Sequence, residues 1–281
     1  SRIKVLASLQ SDEHQAAQDG RFRFGDALRS DSGQVDIRVA VAPTYHGENA
    51  VLRLLANQSS DTNLDYLGFS QTDQTKILKA IKQSQGMILV TGPTGSGKTT
   101  TLYTLLKLLN QPEVAIVTIE DPIEYAVPGL KQIQVNQRTS LNFASGLRSI
   151  LRQDPDIIMV GEIRDQDTAS IAVNAALTGH LLLSTLHTSS AAATLPRLLD
   201  MKVEPYLIAS TVNLVIAQRL VRRLSPAGEA GYQGRLSINE VMVISADIRD
   251  AILARASASE LNRLAMRQGM TTMLSDADEK I

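Results

Sequence analysis

The chain has 281 residues, enough for one large or two ordinary domains, and 43% of them are hydrophobic, enough for a sizeable core. A formal net charge of −1 excludes a global field that recruits nucleic acid or anionic membrane. No apolar run approaches the roughly 18 residues of a membrane span, and the absence of cysteine excludes disulfides and thiolate zinc sites within the chain.

Ile3, Val5, Leu6 and Leu9 outline a short amphipathic helix, followed by a polar stretch to Gln18 and a turn signal at Asp19-Gly20. Arg21 to Phe24 and Val35 to Val41 alternate as strands of a half-exposed antiparallel sheet, with Asp31-Ser32-Gly33 as the hairpin turn between them. Pro43 interrupts the pattern, and Ala50 to Leu55 reads as a further strand. Residues 1–56 therefore form a small α+β module, and the polar, turn-rich segment 57–63 is a linker.

From residue 64 to 281 strands alternate with helices. Thr72 is placed to cap a helix from about Asp73 to Ser84. Met87 to Val90 is a short apolar run with the look of a buried parallel strand. Gly92-Pro93-Thr94-Gly95-Ser96-Gly97-Lys98-Thr99 follows and matches G-x-x-x-x-G-K-[ST], the phosphate-binding loop. A helix then runs from Thr100 to Leu109, with Leu102, Leu105, Leu106 and Leu109 on one face. Strand in front and helix behind is the context the motif requires. The glycines let successive N–H groups point at a phosphate, and the helix adds its positive end. Lys98 is placed to reach the β- and γ-phosphates, and the Thr99 hydroxyl to hold Mg²⁺. Thr100 completes the nucleotide-binding set.

Further strands are expected at Val114 to Ile119, Asp156 to Val160 and Leu181 to Leu186. Helices are expected at Ala144 to Arg152 and at Thr168 to Leu177, the latter with Gly179 just past its end. Two or more helices are expected to run on to about Leu224. After the loop from Ser225 to Tyr232, the pattern predicts a short strand, Leu236 to Met242, and helices at 246–255 and 259–268. Polar residues at the carboxyl ends of parallel strands put the site along one sheet edge.

Three clusters lie at strand ends beyond the loop: Glu120, Asp121 and Glu124; Glu162 with Arg164 and Asp165; and His180 and His187, which bracket one strand. In an NTPase the strand beside the phosphate loop supplies an acid for Mg²⁺ or for water. Asp156 stands at its strand's entrance, so Glu162 is the better candidate. The carboxylates from Glu120 to Glu124 are placed to serve the metal or the water, or are solvated loop acids. The histidines are placed to sense phosphate or to bridge a subunit boundary. Arg21, Arg38 and Arg53 lie on strands of the first module, where alternation brings some of them to one face, as solvated sheet charge, as an RNA-facing patch, or as phosphate contacts from a second domain.

These residues resemble the type II/type IV secretion superfamily of hexameric ATPases, and within it the branch that powers type II secretion and type IV pilus extension. Gly92–Thr99 is similar to its Walker A motif, Thr118–Tyr125 to its Asp box, Leu151–Asp165 to its atypical Walker B and Thr178–Thr188 to its His box. The first module resembles the family at residues 18–21, 36–38 and 47–55, so the likeness spans nearly the whole chain. It implies a RecA-like P-loop ATPase domain preceded by a small PAS-like α+β domain. It implies ATP and Mg²⁺ as cofactors, Glu124 at the attacking water, Glu162 at Mg²⁺ and water, and Arg38 and Arg53 at the phosphates. Gln218-Arg-Leu-Val-Arg222 is similar to the secretion and extension branch rather than the retraction branch. Most of that branch carries a tetracysteine zinc-binding excursion before a Gly-Tyr-x-Gly-Arg motif; here a short loop leads to Gly231-Tyr-Gln-Gly-Arg235.

The expected protein is an ATP-hydrolysing motor, a homo-hexamer working with an inner-membrane platform protein. It is expected at the cytoplasmic face of the inner membrane, attached peripherally through partners and without direct nucleic-acid binding. Rival readings are a RecA-type nucleic-acid motor and a nucleotide-dependent scaffold with little turnover. The 4% aromatic content argues against the first.

Overall fold

The computed structural model describes residues 2–24, 35–55, 63–136, 139–224 and 231–280. The hairpin turn expected at 31–33, the linker up to residue 62 and most of the loop from 225 lie outside the described residues. The chain forms two compact units: Ser1–Asp61 with Glu124–Ala126, and Thr62–Ile123 with Val127–Ile281.

In the first unit, helix α1 (Arg2–Leu6) precedes a three-stranded antiparallel sheet of β1 (Gln18–Phe24), β2 (Val35–Thr44) and β3 (Gly47–Leu55) in the order β1-β2-β3. Ile37, Val39 and Val41 alternate along β2 and are buried with Ala7, so one face of the sheet makes the core. Pro43, expected to interrupt, stays within β2 opposite Glu48 close to the hairpin turn. Gly47, at φ +119°, closes that turn. Lys4 is buried and pairs with Glu48, which also meets His14 Nδ1 at 3.1 Å.

The second unit begins with α2 (Gln71–Ile81), β4 (Gly86–Thr91), α3 (Lys98–Leu109), β5 (Ile116–Glu120) and β6 (Lys131–Gln134). It continues with α4 (Phe143–Ile150), β7 (Ile157–Val160), α5 (Gln166–Leu177), β8 (Leu181–Leu186), α6 (Thr194–Asp200) and α7 (Pro205–Thr211). It ends with β9 (Val212–Leu224), β10 (Tyr232–Val243), α8 (Ala246–Leu253), α9 (Ala258–Arg267) and α10 (Met273–Asp278). Its seven strands run β10-β9-β4-β8-β7-β5-β6, all neighbours parallel except the β10–β9 pair. Every residue of β4, β5, β7 and β8 is buried, as strands covered on both faces require.

Local chemistry sets the helix starts. Ser70, not Thr72, caps α2 by accepting from the Asp73 N–H. Asn142 and Ser145 form a reciprocal capping box at α4, and Asp165 caps α5. The buried residues of α5 are Thr168, Ala169, Ala172, Val173, Ala175 and Ala176, mostly small side chains that suit close packing on the sheet. The helices expected up to Leu224 end at Thr211; residues 212–224 are β9 instead. Val212, Leu214, Val215 and Ile216 are fully buried beside β4, so burial and β-branching decide the strand where the sequence offered no clean period. Among the described residues no helix is long and apolar enough to cross a membrane.

Candidate active site

The loop between β4 and α3 turns on three glycines with positive φ: Gly92 at +146°, Gly95 at +78° and Gly97 at +90°. At Gly92 space adds to conformation, because a Cβ there would meet the Gln218 carbonyl oxygen at 2.4 Å. Pro93, Thr94 and Gly95 form the exposed rim, with Thr99 and Thr100 exposed on the first turn of α3, while Ser96 is buried. The Ser96 hydroxyl lies out of solvent without a hydrogen-bond partner. Lys98 bends back over the loop, its Nζ donating to the carbonyls of Gly92 at 2.8 Å and Pro93 at 3.0 Å. Burial holds its amine below the usual value of 10.5, and the Glu162 charge works against that shift.

Glu162 stands just past β7 at the carboxyl edge of the sheet and is nearly buried. Its turn is pinned from β8. Ser184 Oγ donates to Val160 O at 2.8 Å, Thr185 Oγ1 donates to Gly161 O at 2.7 Å, and the Ile163 N–H donates to Thr185 O at 3.0 Å. The Glu162 carboxylate meets Arg164 Nη2 at 2.5 Å and His187 Nε2 at 3.4 Å. The hydrogen bond to Glu162 raises the Arg164 guanidinium above its ordinary value, with Asp121 adding a weaker pull in the same direction. Lys98, Glu162, Arg164 and His187 thus form one electrostatic group beside the loop. Thr91, the last residue of β4, ties in the strand bearing His187: its Oγ1 accepts from the Thr188 N–H at 2.9 Å and lies 2.6 Å from the Thr188 hydroxyl.

Other expected residues fall elsewhere. His180 sits at the amino end of β8, where its carbonyl accepts from the Gly86 N–H and its Nδ1 lies 3.0 Å from Ala175 O. Six strand residues separate it from His187, about 20 Å at the strand rise, so it belongs with the end of α5 in this chain. Glu120 is buried and held by Tyr103 Oη, by Thr118 Oγ1 at 2.5 Å and by Gln132 Nε2 at 3.2 Å. With both oxygens engaged, it is a structural acid. Asp121 is exposed and precedes a cis Pro122; Glu124 is half-buried in the same loop.

In the first unit the strand register pairs Arg21 with Arg38 and Arg38 with Arg53. Directly opposed residues share a face, so the three arginines form one row across the sheet, opposite the Ile37–Val39–Val41 core. Sequence alternation suggested part of this row, but the register was needed to complete it. Arg164 is grouped with Glu162 in the sequence and Gln218 stands in the Gln218–Arg222 resemblance, but the contacts of Gln218 and the Thr91–Thr188 link carried no signal in spacing.

Among the described residues no group of three His, Cys, Asp or Glu side chains could hold a metal. Thr99 and Glu162 still suit Mg²⁺, which takes one or two protein oxygens and completes its shell with phosphate and water. The partnerless Ser96 hydroxyl within the loop is consistent with a ligand-lined cradle.

A parallel sheet, a glycine-built loop from strand to helix, its lysine and an acid at the next strand ends define a P-loop nucleotide-binding domain. The chain belongs to the family described as Type II/IV secretion system protein, which it matches over residues 1–281. It is 45% identical to type II secretion system protein E of Xanthomonas campestris, over all of this chain and 55% of that protein. It is 43% identical to the type IV pilus assembly ATPase PilB of Myxococcus xanthus, over 97% of this chain and 54% of that protein. The crystal structure of the pilus retraction motor PilT with bound ADP superposes with a TM-score of 0.73 and 30% identity, over 96% of this chain and 81% of that one. The chain therefore spans about half the length of these two curated relatives. The alignment to the first runs over 316 positions, so that relative carries residues this chain lacks.

Proposed function

We propose that this chain is the ATP-hydrolysing core of a motor for type II protein secretion or type IV pilus assembly. The observation that carries the reading is the loop itself, with the Lys98 ammonium in its mouth and the Glu162 charge close enough to shift it. The kinship with secretion and pilus-assembly proteins, and with a motor solved with ADP, supports the same reading.

In this account Gly92 to Thr100 holds the triphosphate. Lys98 supplies positive charge, and Thr99 with Glu162 takes Mg²⁺, which would neutralise charge on the phosphates. Glu124 orients the attacking water, and Glu162 accepts its hydrogen bond. The Arg38–Arg53 row, in a unit whose PAS-like character we also infer, supplies phosphate contact from outside the loop. Arg38 and Arg53 stand directly opposite each other in the register, so two guanidinium groups on one face suit an anion with several oxygens. His187 orients Glu162, while His180 acts across a subunit boundary. The working form is a homo-hexamer on an inner-membrane platform protein at the cytoplasmic face, attached to the membrane through that partner and not engaging nucleic acid.

Lys98→Ala tests the reading. It should abolish ATP turnover while the far-ultraviolet circular dichroism is retained. Turnover at the wild-type rate would remove Lys98 and its loop from the chemistry.

A further inference from the structure

We propose that Gln218 is a positioning residue of the phosphate loop, and that its side-chain amide sets the direction in which the loop presents its N–H groups. The proposal rests on the phosphate-loop reading above. β4 and β9 pair as far as Thr91 and Ala217, and β9 then continues to Leu224 alongside β10. Gln218 is the first residue past that pairing, level with the loop, and it is 2% exposed.

Its side chain spans the loop and the helix behind it. Nε2 donates to the Ser96 carbonyl at 2.7 Å, and Oε1 accepts from Thr101 Oγ1 at 2.8 Å. A backbone carbonyl only accepts, so the amide nitrogen must face Ser96 and the oxygen must face the Thr101 hydroxyl. The orientation of the amide is therefore determined. A trans peptide points its C=O and N–H in opposite directions. With the Ser96 carbonyl drawn to β9, the Gly97 N–H is turned away from β9.

Gln218 also bounds the loop at both ends. A Cβ at Gly92 would lie 2.4 Å from its carbonyl oxygen, and one at Gly97 would lie 2.9 Å from its Nε2. Glycines at these positions therefore have a second reason besides their backbone conformation: they let the loop lie against this residue. The β9–β10 ribbon is thereby joined to the phosphate site through Gln218.

The test is competitive binding of ADP and AMP to Gln218→Met, together with thermal unfolding of the nucleotide-free protein. Methionine keeps the volume and removes the donor. AMP lacks the β-phosphate that such a loop grips, so a defect in loop direction weakens ADP selectively. The expected result is ADP affinity lower by about tenfold with AMP affinity nearly unchanged. A merely structural role would lower the unfolding midpoint and weaken both nucleotides in parallel, leaving their ratio unchanged; that result overturns the proposal. Should Gln218→Met not fold, Thr101→Val frees only Oε1. The ADP-to-AMP ratio should then fall about threefold and recover in Thr101→Ser; an unchanged ratio in Thr101→Val also overturns it. Wild-type protein with no preference for ADP over AMP would instead defeat the phosphate-loop reading itself.

Discussion

Arg164 Nη2 lies 2.5 Å from Glu162 Oε1, and it reaches that carboxylate from a side chain that is 63% exposed. An exposed guanidinium thus holds a nearly buried acid at the carboxyl edge of the sheet. Because water screens the exposed partner, Arg164→Ala should cost less than about 1 kcal/mol of stability. Chemical denaturation checks this; a larger loss would show that the pair secures the turn after β7, a task assigned here to Ser184 and Thr185.

Lys98 gives a pH dependence. Burial lowers its amine below 10.5, so folding penalises the charged form. The penalty is present below the folded-state value and is relieved as pH rises towards 10.5, so this group adds stability across that alkaline window. Phosphate favours the charged amine, so nucleotide affinity should fall as pH climbs through the lowered value. Glu162→Gln removes the opposing pull, and the fall should begin at a lower pH. Dissociation constants for ADP measured from neutral towards pH 10.5 check both; a flat profile would place the Lys98 amine away from the phosphates.

The arginine row makes opposite predictions for stability and activity. Arg38 sits between Arg21 and Arg53, so Arg38→Ala removes one charge and with it two like-charge juxtapositions. Stability should stay level or rise by about 0.2–1 kcal/mol, while ATP turnover falls and nucleotide binding is retained. Unchanged turnover would return the row to solvated surface.

Glu120 should behave as a structural residue. Tyr103 donates to its buried carboxylate, and Tyr103→Phe strips that donor. The cost should be about 1–3 kcal/mol by denaturant titration. A cost near zero would mean that the carboxylate finds another donor.

The phosphate loop was legible because its motif states eight consecutive positions and both flanking elements have clean periods. Glu162 was legible because it ends an apolar run. His187 shares its edge, whereas His180 stands at the entrance of the same strand, the kind of position that disfavours Asp156, and the carboxyl-end rule separates the two histidines. β9 was misread as helix, since its apolar first half and arginine-bearing second half share no clean period and only its neighbours β4 and β10 select the strand. Gln218 stands out only within the Gln218–Arg222 resemblance, because its contacts with the loop span more than a hundred residues, which spacing does not express. The arginine row needed the register, where a shift of one residue would have put Arg38 in the core and Val39 outside.

The most direct test of the central claim is phosphate release from ATP by Glu162→Gln, with nucleotide binding followed in the same samples. The account predicts binding close to wild type and turnover reduced by about a hundredfold or more. Turnover at the wild-type rate with binding intact would contradict it, because the acid beside the loop would then have no part in the reaction.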